Sequence, residues 1–205
     1  TEAIVESIVM IAIENTFAGY VVIADKLKED AHAAIQKIRK AGVSNIIMLS
    51  GDKNSITQQA AKELGIDWAK GGLLPEDKLN EVEKLKQQAG TKVAFIGDGI
   101  NDAPVLATSD VGVAMGGLGS DVAIETADVI IQTDQPSKIA TAIKIGRSTR
   151  HIVWQNIALA FIVKAIVMAL GAGGLATMWE AVFADVGVAL LAILNAVRLQ
   201  KMSWK

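Results

Sequence analysis

The sequence of 205 residues contains no cysteine, which excludes disulfides, thiolate metal sites and thiol redox chemistry from this stretch of chain. It also has almost no excess charge, because 20 lysines and arginines stand against 22 aspartates and glutamates. A balanced composition lacks the basic surface that nucleic-acid binding requires, so we predict no nucleic-acid partner. Near the start, Glu2 and Glu6 precede a mixed segment, which does not have the basic and apolar regions of a signal peptide.

Charged residues are nearly missing from the last quarter of the chain. They are frequent up to Arg150 and then almost vanish until Arg198. Two apolar stretches, at about 152–170 and 175–197, fill this region, and each approaches the roughly 20 residues that cross a bilayer. We therefore predict a linker helix at 134–151, two transmembrane helices within 152–199 and a short tail at 200–205.

Basic residues set the predicted orientation of this hairpin. Arg147 and Arg150 precede it, Arg198 and Lys201 follow it, and the glycine-rich loop between the two stretches has no basic residue. By the positive-inside rule, the soluble part and the C-terminus are cytoplasmic and the loop lies outside. A soluble alternative, in which the stretches form a pair of buried core helices, stays open at this point, although a domain of this size has little surface to cover them.

Residues 1–133 alternate short apolar runs with helical patterns. The apolar runs lie at 17–24, 46–49, 93–96, 111–114 and 129–131, and the helical patterns lie at 31–41, 55–64 and 75–89. Strands that alternate with helices of this length predict an α/β fold, in which helices cover both faces of a doubly wound parallel sheet.

Three polar clusters lie where predicted strands end or a predicted helix begins. They are Ser50-Gly51-Asp52, Lys78 after Pro75-Glu76-Asp77, and Asp98 with Asp102. Hydroxyl and ammonium groups hold phosphoryl oxygens and a carboxylate pair holds Mg²⁺, so the three clusters together suit phosphoryl chemistry. Each cluster also has a simpler interpretation, as helix caps, a solvated lysine and an ordinary glycine turn respectively.

In this order, the clusters resemble the later motifs of the haloacid dehalogenase superfamily, and the string from Phe95 to Pro104 resembles the hinge motif of P-type ATPases. The resemblance implies that a phosphoryl group contacts Ser50 and Lys78, within a catalytic set of Ser50, Gly51, Asp52 and Lys78. It also implies a cofactor site in which Asp98 and Asp102 hold Mg²⁺, completed by Gly99, Asn101 and Asp25. Asp25 and Lys28 resemble an Asp-x-x-Arg element, but lysine cannot make the bidentate contacts of arginine.

Two opposite charges interrupt the apolar hairpin. Lys164 lies 12 residues after Ile152 and Asp185 lies 12 residues before Val197, so each is about 18 Å from its cytoplasmic end. An unpaired charge at that depth costs several kcal/mol, so we predict that the two side chains pair when no metal is bound. Our hypothesis is that a divalent cation binds Asp185 and displaces Lys164, its counter-ion. A pair that only fixes the register of the helices is the alternative.

The hairpin also resembles the last two helices of zinc/cadmium/lead-exporting P-type ATPases, through the run from Trp179 to Gly187 and the lysine–aspartate pair. The resemblance covers essentially the whole chain. It implies the C-terminal portion of such a pump, a multi-pass protein of the bacterial plasma membrane, with 1–133 as the C-terminal part of its phosphorylation domain. The implied cofactors are Mg²⁺ and ATP. The implied partners are membrane lipid, the remaining domains of the pump and the transported Zn²⁺, Cd²⁺ or Pb²⁺.

The acceptor string Asp-Lys-Thr-Gly-Thr of these pumps does not occur in the sequence, so we expect no phosphoryl transfer by this segment alone. Two alternatives from other classes stay open. One is a membrane-anchored phosphatase of the same superfamily, and the other is a non-catalytic membrane protein that binds metal or regulates a partner. Glu180 is predicted to be interfacial and His151 to lie at the surface, and the six methionines form no soft-metal cluster in the sequence.

Overall fold

The structure, a computed structural model, describes residues 7–14, 16–23, 26–97, 100–116, 125–133 and 135–204. The contacts divide the chain into two units, Thr1–Ile139 and Ala140–Lys205. The strands and the shorter helices belong to the first unit, and the second consists of the greater part of two long helices.

An antiparallel hairpin forms the earliest described part of the first unit. It comprises β1 (Ser7–Ile13) and β2 (Thr16–Ile23). The sequence predicted a strand at 17–24 within the parallel sheet and did not predict β1, so the predicted place of this strand in the parallel sheet was wrong. The reason is local, because Ile13 pairs with Thr16 and Glu14 between them has φ 49°. That left-handed conformation is typical of tight turns between sequential antiparallel strands.

Two parallel sheets make up the centre of the first unit. β3 (Ile47–Leu49) pairs with β4 (Trp68–Lys70), and β5 (Ala94–Gly97), β6 (Val111–Met115) and β7 (Val129–Ile131) pair in that order. The predicted parallel α/β architecture is therefore confirmed. β4 was not predicted, because its three residues include a lysine and form no apolar run.

Within the described residues, four helices lie between these strands. They are α1 (Ala31–Lys40), α2 (Asn54–Leu64), α3 (Pro75–Lys86) and α4 (Ala103–Thr108), and a 3-10 turn at Ile100–Asp102 leads into α4. Pro75 is favourable at the first position of α3, where its missing N–H has no partner to lose. The Asp77 carboxylate accepts the N–H of Leu74 at 3.0 Å and so fixes the start of α3, one residue before Lys78.

The most deeply buried side chains lie where α4 packs on the β5–β6 pair. Val105 and Leu106 of α4 are 0% and 1% exposed. Gly112 of β6 permits the close approach of α4, because a Cβ atom there would lie 2.7 Å from the carbonyl oxygen of Leu106. This packing fixes α4, and with it Asp102 at the N-cap of α4, beside the carboxyl end of β5.

Three aspartates join neighbouring parallel strands at their amino ends. Each immediately precedes a strand and accepts a backbone N–H from the beginning of the adjacent strand: Asp67 from Ile46 (2.8 Å), Asp110 from Val93 (2.9 Å) and Asp128 from Gly112 (2.8 Å). The hydrogen bond from Arg39 is the main reason that the pKa of Asp67 lies below its usual value. For Asp110, the backbone N–H of Val93 is the main cause of a lowered pKa, with Lys92 second.

The second unit contains two antiparallel helical segments joined by a short loop. α5 (Ser137–Ala172) is continuous and includes most of the segment predicted as a separate linker helix. α6 (Met178–Lys201) begins three residues later than the predicted start at residue 175. Both helices are long and apolar enough to cross a membrane, and only 6% and 0% of their most apolar windows are buried. This low burial does not fit the alternative of buried core helices, which would be mostly covered.

Candidate functional site

The first candidate group, Ser50-Gly51-Asp52, follows the carboxyl end of β3. The Ser50 hydroxyl donates to the Asp52 carboxylate at 2.9 Å, and the same oxygen accepts the Asp52 N–H at 3.1 Å. The simpler interpretation as a helix cap does not describe this arrangement. The N-cap of α2 is Lys53, which makes no side-chain cap hydrogen bond. Ser50 and Asp52 therefore hold each other and form a polar loop at the end of the strand.

The Ser50 loop is fastened to the connection between β4 and α3. The N–H of Gly72 donates to the Asp52 carbonyl at 2.6 Å, and the N–H of Leu73 donates to the Ser50 carbonyl at 3.0 Å. The backbone of Gly71 packs closely against α2, since a Cβ atom at this position would lie 2.5 Å from the Thr57 hydroxyl oxygen. Sequence reasoning missed this role of the Gly71-Gly72 pair, although two adjacent glycines before Leu73 were the visible signal.

Lys78 and Asp102 form the most enclosed charged pair of the described residues. Lys78 lies in the first turn of α3, and its Nζ is 2.9 Å from Oδ1 of Asp102. The two side chains are 17% and 13% exposed, whereas the Lys84 and Lys92 side chains are 66% and 85% exposed. The interpretation of Lys78 as one more solvated lysine is therefore wrong, and the pair brings the lysine cluster and the acidic cluster together.

Gly97 explains how the Asp102 carboxylate reaches this position. A Cβ atom on Gly97 would lie 2.9 Å from Cβ of Asp102 and 3.0 Å from its Oδ2. Any side chain at residue 97 would therefore occupy the place of the carboxylate. The first glycine of the Gly97-Asp98-Gly99 string is required by packing against Asp102, a constraint that an ordinary surface turn does not have.

Several predicted residues lie outside the described residues or at the edge of the group. Asp25, Asp98 and Gly99 are outside the described residues, so their positions are not stated. Asn101 lies within the 3-10 turn beside Asp102 and is exposed, and Lys28 is exposed in the segment after β2. The structure thus brings Lys78 and Asp102 together and places Ser50 on the adjoining loop.

The donor chemistry at the carboxyl end of β5 fits Mg²⁺. The Asp102 carboxylate and the Asn101 amide supply hard oxygen atoms, and Oδ2 of Asp102 faces the space left by the missing side chain of Gly97. Among the described residues, no group of three or more histidines and carboxylates is gathered to hold a metal ion. A complete ligand set would therefore need a further donor, and the sequence offers Asp98 next to this turn.

Glu81 connects α3, which carries Lys78, to the strand before it. Its carboxylate accepts hydrogen bonds from Lys70, at the end of β4, at 2.9 Å and from Lys84 at 3.0 Å. The bond from Lys70 is the first cause of a lowered pKa at Glu81, and the bond from Lys84 is the second. Glu81 therefore remains charged and fastens the helix to β4, one turn after Lys78.

In the second unit, the predicted pair across the hairpin is present. Nζ of Lys164 lies 3.4 Å from Oδ1 of Asp185. Both side chains line a cleft of about 390 Å³ between α5 and α6, whose other walls are alanine, valine and two methionines, Met168 and Met178. The two methionines, scattered in the sequence, therefore share one cleft with the charged pair. Glu180 has a structural task instead, because it accepts the N–H of Thr177 at 2.8 Å and caps the start of α6.

Comparison with known proteins identifies relatives for both units. The model of the haloacid dehalogenase-like hydrolase family matches residues 2–110. A zinc-transporting ATPase of Synechocystis is 56% identical over 95% of the chain, and a cadmium, zinc and cobalt-transporting ATPase of Bacillus subtilis is 52% identical over 97%. The chain spans 27% and 29% of the length of these two relatives.

A solved structure agrees with these sequence matches. The crystal structure of a zinc-transporting PIB-type ATPase in its E2.Pi state superposes with a TM-score of 0.83 at 37% identity. The match covers 95% of this chain and 31% of that one, so it includes the helical hairpin as well as the sheets.

Proposed function

The chain belongs to the haloacid dehalogenase-like hydrolase family, and from this premise we propose that it is the C-terminal part of an ATP-driven pump that exports Zn²⁺, Cd²⁺ or Pb²⁺. The observation that carries the proposal is the Lys164–Asp185 pair, an ion pair inside two helices apolar enough to span a bilayer. Ionisable side chains in the hydrocarbon core of a bilayer are costly, so their presence there marks a functional site by default. The names of the two sequence relatives, both metal-transporting ATPases, support the same assignment.

The first unit is proposed to hold the phosphoryl group of the pump during its cycle. The Lys78 ammonium would bind phosphoryl oxygens, and the Ser50 hydroxyl would do so by turning its single proton from the Asp52 carboxylate, to which it donates at 2.9 Å, toward a phosphoryl oxygen. Asp98 and Asp102 would hold Mg²⁺, which offsets phosphoryl charge when it is bound. Lys78 has a second role in the observed geometry, since it balances the Asp102 carboxylate at 2.9 Å.

The acceptor aspartate is proposed to come from another part of the complete pump. These 205 residues contain no Asp-Lys-Thr-Gly-Thr string, and they span less than a third of the length of the named relatives. ATP would therefore bind mainly to residues beyond this segment, and Asp25, Gly99 and Asn101 would complete the loops around the phosphoryl site. Hydrolysis would need both parts.

The second unit is proposed to contribute one side of the transport site. With both ends cytoplasmic, Lys164 and Asp185 lie at similar depth in the hydrocarbon core, where a low dielectric strengthens their attraction. A divalent cation at Asp185 would compete with the Lys164 ammonium for the same carboxylate. Lys164 would then return to Asp185 after release, which favours a one-way cycle. Trp154 and Trp179, at opposite ends of the apolar region, suit the two membrane interfaces.

Replacement of Asp185 by alanine in the complete pump tests this proposal. We expect the Asp185→Ala variant to lose metal-stimulated ATP hydrolysis, because the carboxylate that attracts the cation is gone and Lys164 is left unpaired. The measurement is phosphate release with and without Zn²⁺ in reconstituted vesicles. Glu180→Gln is the matched control, since it alters another carboxylate of α6 that only caps the helix. Undiminished zinc stimulation in Asp185→Ala would reject the assignment.

A further inference from the structure

A second cavity of the helical unit has a different chemistry from the Lys164–Asp185 cleft. It has a volume of about 260 Å³ and lies between the first half of α5 and the end of α6. Its polar lining comes from both helices and comprises Arg147, Ser148, His151, Gln155 and Arg198. The residues from α5 repeat at intervals of about four positions, so they lie on one face of that helix.

A hydrogen-bond network fixes the side chains on one wall of this cavity. The side-chain amide nitrogen of Asn195 donates to Oε1 of Gln155 at 3.2 Å and to Oδ1 of Asn156 at 2.9 Å. The side-chain oxygen Oδ1 of Asn195 accepts a hydrogen bond from Arg198 at 2.8 Å. A guanidinium has five N–H groups, so Arg198 is held in place by one and keeps others for a ligand.

The same network determines which nitrogen of His151 donates. Because the Gln155 carbonyl already accepts from Asn195, its amide nitrogen is the group that faces His151 Nε2 at 3.0 Å. Nε2 therefore accepts this hydrogen bond, which leaves Nδ1 as the ring nitrogen that can donate to a ligand. The cavity is thus provided with donors: two guanidinium groups, an imidazole N–H and the Ser148 hydroxyl.

No carboxylate of the helical unit balances this positive charge. Residues 140–205 contain two acidic side chains, Glu180 and Asp185. Asp185 already contacts Lys164 and lies 13 residues before Arg198, which is about 20 Å along an α-helix. Glu180 caps the opposite end of α6. Charge complementarity therefore calls for an anionic ligand from outside this unit.

We propose that the cavity binds the phosphate diester headgroup of an anionic glycerophospholipid of the cytoplasmic leaflet. Arg147 and Arg198 bind the phosphate oxygens, with Ser148 and His151 as further donors. Ile152 and Met202, which also line the cavity, contact the glycerol and the first methylenes. The inference rests on the proposed membrane insertion, which places residues 147–151 at the level of the headgroups, just before the apolar span that begins at about residue 152.

Native mass spectrometry of the full 205-residue chain tests this proposal. The chain is released from mixed micelles that contain equal amounts of dioleoylphosphatidylglycerol and dioleoylphosphatidylcholine, and the retained lipids are counted. We expect phosphatidylglycerol to be retained preferentially, and the preference to fall about fivefold for each arginine replaced, first in Arg147→Gln and then in Arg147→Gln with Arg198→Gln. Circular dichroism checks that each variant keeps its helices, and Arg147→Gln leaves the Asn195 network untouched.

The matched control removes two charges of the same helix that do not line the cavity. Lys144→Gln with Arg150→Gln should keep the preference, and an equal loss there would show only general attraction by basic flanks and overturn the proposal. Millimolar inorganic phosphate should not displace the retained lipid, since displacement would mean a site for free anions. Absence of any preference in a chain that does insert into vesicles overturns this inference alone, whereas failure to insert overturns the proposed function.

Discussion

At the scale of single residues, the Lys78–Asp102 pair is the contact that holds the proposed phosphoryl site together. Asp102 is 9% exposed, and its charge is tolerated there because the Lys78 ammonium lies 2.9 Å away. Gly97 leaves room for the carboxylate and α4 packing holds its backbone. A buried charge that loses its partner is far more costly than an exposed one, so the contribution of the pair can be measured.

Lys78→Met keeps most of the side-chain stem and removes the ammonium. We expect the free energy of unfolding to fall by about 1.5 to 3 kcal/mol, since Asp102 would remain enclosed without its charged donor. Guanidinium denaturation in detergent, followed by circular dichroism, measures this change. Lys92→Met is the control, because Lys92 is 85% exposed and solvent screens its pair with Asp110, so its loss should change stability much less. Equal losses of unfolding free energy in both variants would contradict the claim that the enclosed Lys78–Asp102 pair contributes more to stability than the exposed one.

The sequence predicted the residue types of this site better than their packing. Gly-Asp-Gly and the lysine after Pro75 were visible as clusters, because phosphoryl chemistry needs those groups at strand ends. That Lys78 reaches Asp102 across 24 residues depends on how α3 and α4 lie on the sheets, and no local pattern states this. The Gly71 and Gly97 contacts were missed for the same reason, since a close approach is a property of two segments.

At the scale of elements, the aspartates before β4, β6 and β7 link neighbouring strands through side-chain to backbone hydrogen bonds. Each lies immediately before a strand, and each accepts a backbone N–H from the beginning of the neighbouring strand. The sequence shows them only as turn residues, and their pairing became visible once the strand register was known. The antiparallel β1–β2 pair was missed because a hairpin and a strand of a parallel sheet share the same apolar pattern.

The lowered pKa values of two of these aspartates predict that stability decreases in acid. Asp67 and Asp110 have folded-state pKa values below the ordinary 3.8, so their contribution is fully present above that pH and is lost as the pH falls below it through the lowered values. Asp67→Asn with Asp110→Asn should flatten the decline of the unfolding free energy below about pH 4. Urea denaturation at a series of pH values measures the slope. An unchanged slope in the double variant would show that protonation of these two aspartates is not coupled to folding.

At the scale of the whole molecule, the sequence divides its charge between its two parts. Twenty of the twenty-two carboxylates precede residue 140, whereas the helical unit has two acidic and seven basic residues. The proposed membrane insertion accounts for this division, because a sheet unit in water needs a charged surface, whereas a hairpin in a bilayer would tolerate charge only at its ends or in pairs. The length and apolar character of α5 and α6 were therefore predictable, while the continuity of α5 through the predicted linker was not.

The absence of cysteine makes the proposed orientation directly testable. Gly173→Cys places a single thiol in the loop, where a Cβ atom meets only ordinary contacts of 3.5 and 3.6 Å, and Ser203→Cys places one after α6. In sealed vesicles of known sidedness, an impermeant maleimide should label residue 203 from the cytoplasmic side and residue 173 from the opposite side. Labelling of both residues from one side would contradict a spanning hairpin.

The division of the first unit into two parallel sheets affects how its parts unfold locally. Within the described residues, the β3–β4 pair and the β5–β6–β7 group share no ladder of backbone hydrogen bonds, and the Lys78–Asp102 pair is a side-chain link between the elements that follow them. Two blocks joined in this way can exchange their amide protons for deuterium independently, as separate cooperative units. Hydrogen exchange should therefore show one protection level for β3 and β4 and another for β5 to β7, and a phosphoryl group bound by both sides would bring the two levels together.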